Sequence, residues 1–224
     1  MNLPKQIEAL LGRLDFTRDT LGRSEDEIYL FEDKYVLKIS ENTNRLKREH
    51  DRCVWLDGKL SVPKSRCFVI ENGRAYFLRE MLVGKPLCDE KYMNDPMLAV
   101  SLLSEAFLML RRVDVEECPF ESEENSGEDF VHGDFCLPNI LIKDDHVAGF
   151  IDIENCGRGD KRFDIAWAVW SLGYNLGTNK YTNDFLDKIG CDFSRDDYER
   201  YVLDLIDTPE NRGKYIEYLP EKYR

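Results

Sequence analysis

Residues 132 to 142 read HGDFCLPNILI, and after two aspartates a second apolar run, HVAGFIDI, follows. Two short apolar segments joined at Asp144-Asp145 predict an antiparallel hairpin. That hairpin carries Asp134, Asn139 and Asp152 around its apolar runs. Burying even one unpaired carboxylate is costly. Three oxygen-bearing side chains in such a place therefore call for a cation and a reacting partner, or else for turn and capping bonds.

The rest of the chain divides around this hairpin. EIYLFED and KYVLKIS read as a strand pair, and SVPKSRCFVIENGRAYFLREML reads as a second pair turning at ENG. Between them, residues 43–56 have helical spacing, with Leu46, Cys53, Val54 and Leu56 on one face and Gly58 suited to the C-terminal cap. After VGKPL the pattern turns helical. Residues 97–112 carry a wide apolar stripe ending in two arginines, which complement the negative end of the helix dipole. Further helices are expected at FDIAWAVWSLGYN, YTNDFLDKIG and RDDYERYVLDLID, while ECPFESEENSGEDF reads as an acidic loop. Trp167, Trp170 and Leu172 are most simply core residues. An α+β chain of two lobes follows, 1–82 and 83–224.

At 224 residues with 42% apolar content, the chain can bury a real core and is expected to be ordered. Its seven cysteines show no CxxC spacing, which argues for reduced structural thiols rather than disulfides or zinc. No segment is apolar for long enough to cross a bilayer and the first residues lack a signal-type core, so a cytoplasmic protein is expected. A formal charge of −13 disfavours nucleic acid and anionic membrane as partners and would attract a small cationic substrate. Solubility alone would account for the same charge.

Phosphoryl transfer needs magnesium on the phosphates, a cation on the nucleotide and a carboxylate near the attacking hydroxyl. Asp152 and Asn139 have the hard oxygen atoms magnesium takes, which leaves Asp134 for the hydroxyl. Taken with GRGDKRFDIAWAV and REHDRCVWLDGKLSVPK, HGDFCLPNILI and GFIDI resemble the aminoglycoside phosphotransferases, especially the 3′-phosphotransferase group. That resemblance implies a bilobal protein-kinase-like fold, with an N-terminal antiparallel sheet plus one helix that binds ATP and a mainly helical C-terminal lobe that binds an aminoglycoside. It makes Asp134 the catalytic base and Asn139 and Asp152 the Mg2+ ligands. Lys38 matches the lysine on the nucleotide phosphates, and Glu49 its helix partner. Gly22 and Ser24 match the turn over the phosphates, and Glu80 to Leu82 the hinge whose backbone meets the adenine.

Each residue also has a plainer role open to it. Lys38 and Glu49 could be an ordinary surface pair, and Gly22 and Ser24 a simple turn. His132 and Asp164 are expected to be structural, Asp164 tying its helix to the catalytic loop. The sequence departs from the resembled group in three places. Glu154 and Asn155 stand where that group has glycine and arginine, removing backbone freedom and a phosphate-stabilising cation that Arg158 could partly replace. The linker before HGD is short, leaving Glu121, Glu124, Glu128 and Asp129 to face a polyamine or simply the solvent. The chain also continues past Asp207. These departures keep two alternatives open, a kinase for another metabolite alcohol and a nucleotide-binding protein with little transfer activity.

Overall fold

A computed structural model describes residues 3–19, 26–122 and 126–190. They form two compact units: the described residues up to Val83 with Asp152–Glu154, and those from Gly84 to Ile151 and onward from Asn155.

The first unit contains helix α1 (Lys5–Leu11), strands β1 (Phe16–Asp19), β2 (Glu27–Phe31) and β3 (Tyr35–Ser40), helix α2 (Thr43–Leu56), and strands β4 (Ser65–Glu71) and β5 (Arg74–Glu80). The strands pair antiparallel in the order β1-β2-β3-β5-β4. Asn72 and Gly73 turn the β4–β5 hairpin, both with left-handed φ, of 52° and 78°, as a tight hairpin between right-twisted strands requires. Side chains alternate across a strand. Leu37 and Ile39 therefore join Phe31, Tyr76 and Leu78 on one sheet face, where Ile7 and Leu11 of α1 cover them. Lys38, opposite Phe77 in register, takes the other face.

Helix α2 spans the expected residues and buries Leu46, Glu49, Cys53 and Leu56. Val54 is a correction: it is 54% exposed, because a helical step of one from Cys53 swings it about 100° away from the buried stripe. The cap is Asp57, with Gly58 following in a left-handed turn at φ 79°. Helix α1 and the edge strand β1 add to the sheet and single helix read from the sequence.

The second unit contains β6 (Lys85–Pro86), α3 (Glu90–Met93), α4 (Pro96–Leu110), β7 (Asp129–Val131), a 3₁₀ turn (Leu137–Asn139), β8 (Ile140–Lys143), β9 (His146–Phe150), β10 (Gly157–Gly159), α5 (Lys161–Leu176) and α6 (Thr182–Ile189). Asp144 and Asp145 turn the β8–β9 hairpin with φ of 51° and 59°. Helix α4 starts from an Asp95 cap and ends one residue before Arg111. The Arg111 guanidinium turns to the Phe130 carbonyl and to Asp129, at 3.3 Å, rather than serving only the helix end. On α5, Leu172 is core, whereas Trp167 and Trp170 are half-buried and meet edge to face at 5.5 Å. The helix expected over residues 195–207 lies outside the described residues. Among the described residues, no helix is long and apolar enough to cross a membrane.

Candidate active site

In the second unit the HGD segment is held from below by α5. Asp164, fully buried, accepts the His132 N–H on one oxygen at 2.8 Å and the Gly133 N–H on the other at 3.1 Å. Gly133 has φ 80°, and a Cβ there would sit 2.5 Å from the Asn155 carbonyl oxygen, so only glycine fits. The His132 ring bridges two groups: Nε2 reaches the Ile151 carbonyl at 3.1 Å and Nδ1 accepts the Asp134 N–H at 3.3 Å. Because a carbonyl only accepts and an amide only donates, this geometry takes the tautomer protonated at Nε2. His132 and Asp164 are therefore structural, as expected from the sequence.

The side chain of Asn139 completes the loop. Its Nδ2 donates to the Asp134 carbonyl at 3.0 Å and to Asp134 Oδ2 at 2.8 Å. Its backbone oxygen accepts the N–H of Ile151, the residue preceding Asp152. Asp134 and Asn139 are thus brought together and oriented by one another. With Nδ2 turned inward to Asp134, the remaining amide atom of Asn139, Oδ1, is the one able to ligate a hard cation.

In the first unit the Lys38 ammonium lies between two acids, 2.8 Å from Glu49 Oε2, 3.0 Å from Glu49 Oε1 and 2.6 Å from Asp152 Oδ1. The Lys38 and Glu49 side chains are 5% and 1% exposed, so they are no surface pair. Burial works to lower the lysine pKa, yet Glu49 and Asp152 together outweigh it and raise the pKa, keeping the charge. Asp152 has a left-handed φ of 56°, while its side chain remains 42% exposed. Sequence reasoning missed Arg79, a buried guanidinium whose Nε lies 3.8 Å from Glu49 Oε1. The signal was available, since Arg79 is two residues beyond Phe77, which faces Lys38 in register.

Glu154 corrects an expectation. The left-handed residue is Asp152, and Glu154 has no positive φ, so loss of the glycine costs the backbone nothing there. The Glu154 carboxylate lies 3.2 Å from Arg45 Nη1 on α2, and Arg45 also pairs with Asp26. Burial first, and then repulsion from Glu49, raise the Glu154 pKa.

The remaining candidates are spread out. Glu80 pairs with Arg66 and its N–H is taken by the Lys64 carbonyl; Leu82 is half-buried. Arg158, in mid-β10, approaches Glu121 at 3.9 Å. Asp129 is engaged by Arg111 and, at 3.9 Å, by Lys161, whereas Glu128 is exposed. Gly22, Ser24 and Glu124 lie outside the described residues.

Residues 125–201 match the family model described as the phosphotransferase enzyme family. An aminoglycoside 3′-phosphotransferase of Niallia circulans is 29% identical over 252 residues, covering 91% of this chain and 96% of the relative. One from Enterococcus faecalis is 26% identical over 257 residues, with 91% and 97% covered. Both matched spans exceed the 224 residues of this chain, so the relatives carry sequence within them that it lacks. Among solved structures, the Streptomyces rimosus aminoglycoside phosphotransferase APH(3″)-Id in complex with ADP and streptomycin superposes with a TM-score of 0.71 at 19% identity, covering 88% of this chain and 93% of that one. Motif segment, likeness along nine-tenths of the sequence and fold agree: the chain is similar to the aminoglycoside phosphotransferases and has their kinase-like fold.

Proposed function

We propose that the protein transfers the γ-phosphoryl group of ATP to a hydroxyl of an aminoglycoside of the kanamycin or neomycin type, at the 3′ position. It would do so in the cytoplasm and thereby lower susceptibility to the drug. The observation that carries this is the buried Lys38, kept charged between Glu49 and Asp152. A lysine so held is a fixed positive point aimed at an anion, and phosphates are the anion that the family's chemistry supplies.

The residues divide the work as follows. Lys38, oriented by Glu49, binds the nucleotide phosphates, and the backbone between Glu80 and Leu82 takes the adenine. Gly22 and Ser24 belong to the turn that covers the phosphates. Asp152 and the Oδ1 of Asn139 are the hard oxygen donors suited to Mg2+, which when bound neutralises charge developing on the phosphates. Asp134, held by Asn139, accepts the proton of the acceptor hydroxyl as its oxygen bonds to the γ-phosphorus and the bond to the β-phosphate oxygen breaks, releasing ADP. Glu121, Glu124 and Glu128 offer carboxylates to the substrate's ammonium groups.

A different acceptor alcohol is favoured by one observation: Asp129 and Glu121, two of the acids expected to meet the aminoglycoside, already face Arg111, Lys161 and Arg158. ADP release from the purified protein with Mg-ATP separates the cases. Stimulation by kanamycin and neomycin, but not by their 3′-deoxy relatives, is the expected result; stimulation only by unrelated alcohols would reassign the acceptor. Tight ATP binding with no stimulated turnover by any acceptor would refute transfer.

Asp152→Ala tests the metal role. The ATP affinity gained on adding Mg2+ is expected to fall by on the order of 10- to 100-fold, while affinity in EDTA changes little, as measured by calorimetry. An Mg2+ effect equal to that of the wild type would remove Asp152 from the metal site.

A further inference from the structure

Arg45 stands in the first turn of α2, the helix end at which a cation is disfavoured. Asn42 caps that turn by accepting the Arg45 N–H at 3.1 Å, so its backbone is fixed. Its guanidinium is gripped by Asp26 and Glu154, and although burial opposes the charge, these acids raise its pKa. Arg45 and Glu49 are four residues apart and share a helix face. Helix α2 therefore holds the segment Asp152–Glu154 at two points: directly at Glu154, and through Lys38, which Glu49 and Asp152 share.

We propose that Arg45 is a positioning residue for metal-nucleotide binding, acting through Glu154 to fix the direction in which Asp152 presents its carboxylate. This rests on the phosphotransferase reading, since it takes Asp152 as a metal ligand. Glu154 and Asn155 stand where the resembled group has glycine and arginine, and here the arginine reaches the same segment from α2 instead. Lys38 holds Asp152 Oδ1 at 2.6 Å, and the Arg45–Glu154 ion pair two residues on fixes the left-handed segment that carries it. Arg45 and Glu154 also line a cavity of about 570 Å³ with Asp26, Ser40, Asn42 and Arg74, so altered side chains have room.

Charge reversal in the full chain tests this, with ATP as the probe and calorimetry in Mg2+ and in EDTA. Arg45→Glu and Glu154→Arg are each expected to lose about tenfold of the Mg2+-dependent gain in affinity, with EDTA values unchanged. The double variant should lose clearly less than the sum of the two singles, because the pair with residue 154 is restored in reverse although residue 45 then meets Asp26 with like charge. Equal losses with and without Mg2+, which a merely structural contact would give, overturn the proposal, as does a double variant whose loss equals the sum of the singles. Where charge reversal unfolds the protein, Arg45→Gln, Glu154→Gln and their combination complete the same cycle; the double should lose no more than either single, and additive losses overturn the proposal. A wild-type protein that binds no ATP in either condition would fail the phosphotransferase reading itself. Normal wild-type Mg2+ dependence with unaffected variants would fail this inference alone.

Discussion

Asp134→Ala is expected to lower kcat for aminoglycoside phosphorylation by about 10³-fold, within the range that a positioned general base contributes. ATP affinity should stay within about twofold, a change of no more than roughly 0.4 kcal/mol, because the carboxylate is assigned to the acceptor hydroxyl and not to the nucleotide. The fold of the loop should survive. The amides of His132 and Gly133 are bonded to Asp164, and Asn139 Nδ2 keeps its bond to the residue 134 carbonyl even when Oδ2 is gone. Activity should therefore vanish without a matching loss of thermal stability, a combination that separates a chemical role from a structural one. Steady-state ADP release and ATP calorimetry on the same preparation measure both halves. Turnover near that of the wild type would remove Asp134 from the chemistry.

Much of this molecule can be read from local sequence, and the parts that cannot share a cause. The hairpins at Asn72-Gly73 and Asp144-Asp145 are visible because turn chemistry acts over two residues. Helix α2 is visible because its apolar spacing is local, although the same spacing misplaced Val54. Strand β1 was not read as a strand, since FTRD has no buried alternation of its own and is a strand only because it pairs with β2. Lys38, Glu49 and Asp152 were named from motifs, yet the depth at which Lys38 and Glu49 are buried needed tertiary structure. The cations that answer the acids were the least legible. Arg45 meets Glu154 across 109 residues of sequence, and nothing within a helical turn of either residue announces the partnership. The expected loss of backbone freedom at Glu154 has no counterpart in the backbone angles, because the left-handed residue is Asp152, two positions earlier.

Asp164 carries the largest expected effect on stability. It is 0% exposed, both of its oxygens accept buried backbone N–H groups, and Arg111 lies 3.9 Å away. Asp164→Ala would orphan two donors, each costing about 1–3 kcal/mol when left unsatisfied, and would strip a partly buried guanidinium of one acid. A loss of roughly 3–5 kcal/mol follows, which in a domain of this size lowers Tm by about 10 °C or more. Asp164→Asn should also destabilise, because an amide has one acceptor to offer where two N–H groups converge. The pH dependence adds a sign. Burial raises the Asp164 pKa against the opposing pull of His132, Arg111 and the two amides, so the folded protein binds this proton more readily than the unfolded chain. The stability associated with that proton is present below the ordinary aspartate range and is lost as pH rises toward the raised value. The margin by which the wild type exceeds Asp164→Asn should accordingly narrow as pH rises through that interval. Thermal unfolding of the three proteins across that interval measures both claims. A Tm for Asp164→Ala within 2 °C of the wild type, or about 1 kcal/mol, would mean that these two hydrogen bonds do not anchor the His132–Asp134 loop to α5.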